Sequence, residues 1–277
     1  MIRVLVDSGS SIKEFEKEKY DVDIAPLKIL LGDKEYEDGI DLTMDTFYDS
    51  LINKKQFPKT SLPNLAKVEE LVTSYTNNND DVIILPISSG ISGTFNAFKQ
   101  LFTDNKLVHV IDSLSAVGGI RLLVHEINKY KNKTIDFVKD KINKLIKKIR
   151  IIAIPETLTY LTRGGRLSKV GFVVGTILKI IPIITFDEKG KVHVMEKKRG
   201  FKNATKDLVN YVNEHCDKNY PIVPSYTYKT DNLENMISML NDELKPSLIE
   251  YDELDCAISA HWGPNAAGFI FVEKEKE

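Results

Sequence analysis

The chain has 277 residues, 42% hydrophobic and 28% charged, long enough for two domains with a large core and too apolar to remain disordered. Its 38 basic and 40 acidic residues leave a formal charge of −2, which excludes a global electrostatic footprint for nucleic acid. Cys216 and Cys256 are too few for a disulfide framework and have no metal-ligand spacing, so neither a stapled scaffold nor a cysteine metal site is expected.

The opening "MIRVLVDSGSSI" reads as a strand that runs into a polar loop, not as a signal peptide, and a cytoplasmic location is the expectation. "VDIAPLKILLGDKEYEDG" predicts two short strands with a turn at Gly32-Asp33. "TMDTFYDSLINKK" is a helix with Thr43 as N-cap, and "PKTSLP" is a loop bounded by Pro58 and Pro63 before a helix from about Leu65. "DVIILPI" has no polar alternation and predicts a strand covered on both faces. A helix "SGTFNAFKQLF", a strand "KLVHVIDS" and a helix "AVGGIRLLVHEINKY" follow. This alternation is the signature of a doubly wound parallel sheet.

"TIDFVKDKINKLIKKIRIIAI" is a Lys-rich amphipathic helix, its lysines a solvated face, running into a strand. Near residue 151 the order of elements changes, and the expected division is 1–150 and 151–277. The apolar "VGFVVGTILKIIPIITF", with Lys179 and Pro182 inside it, is too short to span a bilayer and predicts a buried helix then a buried strand. A hairpin turning at Lys189-Gly190 and further helices and strands make the second half α/β with some antiparallel pairing.

The chemistry concentrates in "VIILPISSGISGTFNAFKQLF", a strand, a Ser/Gly loop and a helix N-terminus. That combination suits an anion, because first-turn amides and the helix dipole face the ligand. Gly90 and Gly93 allow close approach, and Ser88, Ser89, Ser92 and Thr94 add hydroxyls; the same Ser92 and Thr94 also suit plain helix capping. Neither a P-loop nor a dinucleotide fingerprint is present. Gly90-Ile91-Ser92-Gly93-Thr94 approaches a nucleophile elbow, with Thr94 in place of the last glycine and His261 as the candidate base. His109, His125, His193 and His215 fall within expected strands or helices.

Taken together, "LVDSGSSI", "PKTSLP", "SSGISGTF", "VIDSLSAVGG", "TLTYLTRGGRLSKVGFVVGTILKIIPIITFDEKGKVHVMEKKRG" and "AHWGPNAAGFIF" resemble, in order, the DegV family of fatty-acid-binding proteins. The resemblance implies a two-domain α/β protein, an N-terminal parallel-sheet domain followed by an α/β domain with a partly antiparallel sheet. It implies one long-chain fatty acid, its carboxylate in the interdomain cleft and its tail buried in the C-terminal domain. By motif position Thr60, Ser92, His261 and Arg199 match the family's carboxylate-binding groups.

Arg163, Arg166 and Lys169 form a cationic rim or partner contact in this reading, and Phe172, Val173 and Ile177 line the acyl chain. Gly171 and Gly175, four apart, suit either a channel or close helix packing. The partner implied is the catalytic subunit of a fatty acid kinase, which would phosphorylate the bound acid to an acyl phosphate for phospholipid metabolism. The chain itself is then a non-catalytic subunit, expected to be monomeric, without cofactor or metal, and touching membranes at most transiently. Trp262, Asn265 and Ala267 depart from the family's usual H-V-G-P-G-A-L-G, and "DSLSAVGG" from its D-S-x-x-A-S-x-G. A serine esterase or thioesterase using Ser92 and His261, or a sensory lipid-binding module, are the competing readings.

Overall fold

The computed structural model describes residues 1–167, 180–249 and 251–275. Lys169, Phe172, Val173 and Ile177, and with them Ser168, Gly171 and Gly175, lie outside the described residues. The chain divides into two compact units, Met1–Lys147 with Asp255–Ala260, and Lys148–Leu254 with His261–Glu277.

In the first unit the elements run β1 (Ile2–Asp7), α1 (Lys17–Tyr20), β2 (Asp23–Ala25), β3 (Lys28–Leu31), β4 (Lys34–Glu37), α2 (Met44–Tyr48), β5 (Lys59–Ser61) and α3 (Leu65–Thr76). They continue through β6 (Asp81–Leu85), α4 (Thr94–Leu101), β7 (Val108–Val110), α5 (Gly118–Lys129) and α6 (Ile135–Ile146). The main sheet is parallel, in the order β2-β1-β6-β7. Its central strands are apolar on both faces because both are covered. Leu5, Val82 and Ile84 pack on Val68 and Val72 of α3 and Phe98 of α4, while Val4, Val6, Ile83 and Leu85 are buried on the opposite side. The register sets Val6 beside Leu85, so Asp7 and the loop after β6 emerge side by side at the carboxyl edge. That edge is where open α/β sheets hold their ligands.

Two local signals behave as expected. Thr43 Oγ1 accepts the Thr46 N–H at 3.3 Å and starts α2, and Gly32, at φ 62, turns β3 into β4. Two others differ. The segment from Val22 forms three strands, not two, since β2 joins the large sheet before β3 starts a small antiparallel one ordered β4-β3-β5. "PKTSLP" is not a loop throughout: Lys59–Ser61 pairs with β3, placing Thr60 opposite Ile29. A three-residue strand between prolines has too little periodicity to announce itself; only its partner defines it.

In the second unit β8 (Ile149–Ile154), α7 (Thr159–Arg163), β9 (Ile180–Phe186), β10 (Val192–Arg199), α8 (Phe201–His215), β11 (Val223–Tyr226), α9 (Asp231–Ser238), β12 (Asp252–Glu253) and β13 (Ala267–Val272) build a mixed sheet ordered β10-β9-β8-β13-β11-β12. Its pairs are antiparallel except β11 with β12. Ala267, Phe269 and Phe271 alternate onto one face, where Leu208 and Val212 of α8 and Leu233 and Met236 of α9 cover them. Pro182 is tolerated inside β9 because the pairing with β8 covers only Thr185 and Ile184. The first residue of β9 is not buried as expected: Ile180 is 41% exposed. One further helix, α10 (Cys256–Trp262), starts among the residues of the first unit and ends among those of the second. Among the described residues no helix is long and apolar enough to cross a membrane.

Candidate functional site

The amides of the Ser/Gly loop between β6 and α4 already have acceptors, the first three outside the loop and the later ones within it. Ile87 N–H donates to Asp7 Oδ2 at 2.9 Å, Ser88 N–H to the Ser115 carbonyl at 2.8 Å and Ser89 N–H to Asp112 Oδ1 at 3.1 Å. Gly90 N–H donates to Ser88 Oγ at 3.0 Å, and the amides of Ile91 and Ser92 both reach the Ser88 carbonyl at 3.1 Å. Thr94 N–H donates to Ser92 Oγ at 3.2 Å. Of the first-turn amides expected to face an anion, that of Thr94 is already bonded to Ser92 Oγ, and the loop amides before it have acceptors of their own.

What the loop offers is a hydroxyl. Ser92 Oγ and Thr94 Oγ1 lie 2.9 Å apart, and Thr94 is fully buried while Ser92 is half-buried. A buried hydroxyl hydrogen needs an acceptor, and the adjacent Ser92 oxygen provides one. Thr94 N–H donates into Ser92 Oγ, and either hydroxyl of the pair can donate to the other. With Thr94 as that donor, the Ser92 O–H is available to a carboxylate. Gly93 has ordinary backbone (φ −79, ψ −5), and a Cβ there would meet only the Leu62 side chain at 3.7 Å. Internal packing therefore does not demand glycine at this position.

Thr60, half-buried on β5, belongs to the same unit. The small sheet that carries it is tied to the start of α10. Asp38, just after β4, accepts the Ser8 hydroxyl at 2.7 Å and the Ala257 N–H at 3.1 Å, and Lys13 pairs with Asp255. Tyr48 O–H reaches Ser259 Oγ at 3.2 Å. Burial raises Asp38 to about 7, and the nearby Asp255 carboxylate adds to that shift.

In the second unit the turn after α7 seats His261. Gly164 faces the imidazole so closely that any Cβ would overlap its Nδ1. Arg166 folds back on the same turn, its guanidinium donating to the Gly164 carbonyl, and is half-buried, whereas Arg163 is exposed. Burial, with a smaller contribution from Arg166, lowers His261 to about 4, so the ring is neutral at pH 7. A neutral imidazole still donates one N–H, but at that pKa it is a weak general base. Ser92, moreover, is absent from the residues at positive φ, so the strained backbone of a nucleophile elbow is not found there.

The chain beyond His261 explains two of its unusual residues. Trp262 is buried, and Asn265 takes φ 61 while its side chain donates to Glu156 at 3.0 Å. Thr227 Oγ1 holds this turn, donating to the Gly263 carbonyl at 2.7 Å and accepting the Ala266 N–H at 2.9 Å. Arg199 is carried by another element, exposed at the end of β10. Sequence reasoning missed Asp7, Asp112, Asp38 and Gly164. An Asp closing a buried strand, as in "VLVDSG", was the available signal for Asp7.

The chain matches the model of the DegV family, described as uncharacterised proteins, over residues 1–274. A DegV domain-containing protein of Clostridium acetobutylicum is 30% identical, with 99% of each chain covered. A solved structure of a fatty acid binding DegV family protein from Streptococcus agalactiae superposes with a TM-score of 0.88 at 28% identity, covering 99% of each chain. A DegV lipid binding protein from Thermotoga maritima gives a TM-score of 0.84 at 25% identity, covering 100% of this chain and 99% of that one.

Proposed function

The chain belongs to the DegV family, and from that premise we propose that it binds one long-chain fatty acid and performs no chemistry on it alone. The observation that carries this reading is the Ser92–Thr94 hydroxyl pair at the start of α4, 2.9 Å apart, of which the half-buried Ser92 can turn its O–H to a carboxylate. The fatty acid bound by the similar Streptococcus agalactiae protein supplies the ligand class.

In this proposal Thr60 and Ser92 donate to the carboxylate, the neutral His261 adds a third donor, and Arg199 contributes positive charge near the head group. A carboxylate removed from water needs such a set, since burying it unpaired costs several kcal/mol. Hydrogen bonds to a charged group are worth roughly 1.5–3 kcal/mol each. The tail is the larger contribution: about a dozen buried methylenes at ~0.8 kcal/mol each give on the order of 10 kcal/mol gross, reduced by the ordering of chain and protein. Affinity then follows the tail, and orientation follows the hydroxyls. Phe172, Val173 and Ile177 are proposed as lining of the acyl chain.

The partner proposed is a kinase subunit that phosphorylates the presented carboxylate to an acyl phosphate, received at a rim containing Arg163, Arg166 and Lys169. Arg163, exposed, suits that role best. The deciding experiment is denaturing extraction of the purified protein followed by mass spectrometry. A stoichiometric long-chain acid is expected, weakened or lost in the Thr60→Ala, Ser92→Ala double variant. A blank that persists after incubation with a mixed fatty-acid pool would overturn the reading.

A further inference from the structure

The Ser92 hydroxyl is only as well aimed as the loop that carries it, and that loop is held from outside. Asp7, at the end of β1, takes the Ile87 N–H on Oδ2 and the Gly9 N–H on Oδ1, at 2.9 and 3.0 Å. It is fully buried, and Gly9 beside it has no room for a side chain: a Cβ would lie 2.8 Å from Ile87 Cδ1 and 2.9 Å from Asp7 Oδ1. From the other side come Asp112, which takes the amides of Ser89 and Leu114 at 3.1 Å each, and the Ser115 carbonyl, which takes Ser88 N–H.

The segment that makes this second grip is itself forced. Leu114 and Val117 both sit at φ 47, a costly conformation for a β-branched residue such as Val117. Val117 N–H is pinned to the Gly9 carbonyl at 2.7 Å. Strained backbone persists where its surroundings over-determine it, and it gathers at ligand clamps. Three consecutive amides, 87 to 89, are thus gripped by three acceptors that are not part of the loop.

We propose that Asp7, seconded by Asp112, is a positioning residue for the head group: it never meets the ligand, but its carboxylate fixes the loop so that the Ser92 O–H faces the bound carboxylate. This rests on the fatty-acid reading above. The grip depends on both carboxylate oxygens being acceptors. Burial raises Asp7 to about 7, so its protonation falls in the neutral range. A proton on one oxygen turns an acceptor into a donor facing an amide, and one of the two N–H groups loses its partner. The loop therefore loosens as pH falls through about 7. The ionisable groups around it are Asp38, reached through Ser8 and also near 7, Asp255 with Lys13, Arg121 with Glu16, and Asp112. All of these are common to the wild type and an Asp7 variant, so the difference between the two isolates Asp7.

The test titrates the fluorescent long-chain acid cis-parinaric acid into the whole protein near pH 6 and near pH 8, for the wild type, Asp7→Asn and Asp112→Ala. The wild type binds more tightly at the higher pH. Asp7→Asn binds about tenfold more weakly there, as for one lost charge-assisted hydrogen bond, and loses the difference between the two pH values. Asp112→Ala binds more weakly but keeps that difference, which a merely destabilised protein has no reason to separate. Wild-type affinity and wild-type pH response in Asp7→Asn overturn the proposal. If Asp7→Asn does not fold, unchanged affinity in Asp112→Ala overturns it and weakened binding supports it. Amide hydrogen exchange at residues 88–92 gives a readout without ligand. Should the wild type bind no acid, the fatty-acid reading fails by itself; faster exchange in either variant then still supports the clamp, and unchanged exchange overturns it.

Discussion

The loop after β6 and the turn after α7 are both glycine-containing connections, yet they prepare their functional groups by opposite means. The first ties Ser92 Oγ to Thr94 and spends the amides of the preceding loop on fixed acceptors, so that the hydroxyl is held in place. The second removes water from around His261 by pressing Gly164 and the folded-back Arg166 against it, so that the ring stays neutral. Direction comes from hydrogen bonds in one case, and protonation state from desolvation in the other. A hydroxyl has a rotor to fix but no charge to control at neutral pH; an imidazole has a rigid ring but a pKa that its surroundings set.

That contrast is broken most severely by filling the space around the second site. Gly263, at φ 73, faces Tyr160 so closely that a Cβ would overlap the ring, so Gly263→Ala combines a left-handed backbone with overpacking. It should cost on the order of 3 kcal/mol, read as a lower midpoint in chemical denaturation. The matching change at the first site, Gly93→Ala, meets only Leu62 and should leave stability within about 0.5 kcal/mol. Comparable losses at the two positions would erase the distinction.

Acid sharpens it next. With His261 lowered from 6.5 to about 4, the unfolded chain takes up the proton first as pH falls. Stability is then present above about pH 6.5 and lost progressively toward pH 4, by up to ~3 kcal/mol. His261→Gln should lack that loss, as measured by denaturation at several pH values across this window. Asp7 and Asp38, raised to about 7, have the opposite sign: their contribution is full below about pH 4 and fades as pH rises through 7. It is shared by both proteins and cancels in their difference. Parallel pH profiles would show that desolvation of His261 is not what sets its charge.

Ser92→Ala comes third, with a loss of roughly 2 kcal/mol in fatty-acid affinity beside a stability cost of about 1 kcal/mol for the Thr94 groups that lose their partner. A large stability loss with unchanged affinity would make Ser92 a helix cap and nothing more. The smallest effect serves as a control away from both sites. Asn64 Oδ1 accepts the amides of Ala66 and Lys67 at the start of α3, and Asn64→Ala should cost about 1 kcal/mol of stability without altering binding.

Local rules carried much of the fold. Thr43 as a cap, the Gly32 turn and the start of α3 at Leu65 each depend on residues within a few positions of one another. The parallel sheet was legible too, because "VIILPI" lacks the alternation that a half-exposed strand requires. The candidate site was legible only as a set of residue types. Ser92 and Thr94 stand out in the motif, but nothing in it announces that the amides of residues 87–89 are taken up by acceptors from residues 7, 112 and 115.

The sequence by itself determined the order of elements, the small net charge of −2 and which hydroxyls and imidazole were available for an anion. These follow from composition, periodicity and capping, all short-range properties of the chain. Tertiary structure alone decided which of the amides at 87–89 are already spent and why His261 is uncharged. Each of those depends on partners distant in the chain, whose burial strengthens a hydrogen bond and penalises a charge.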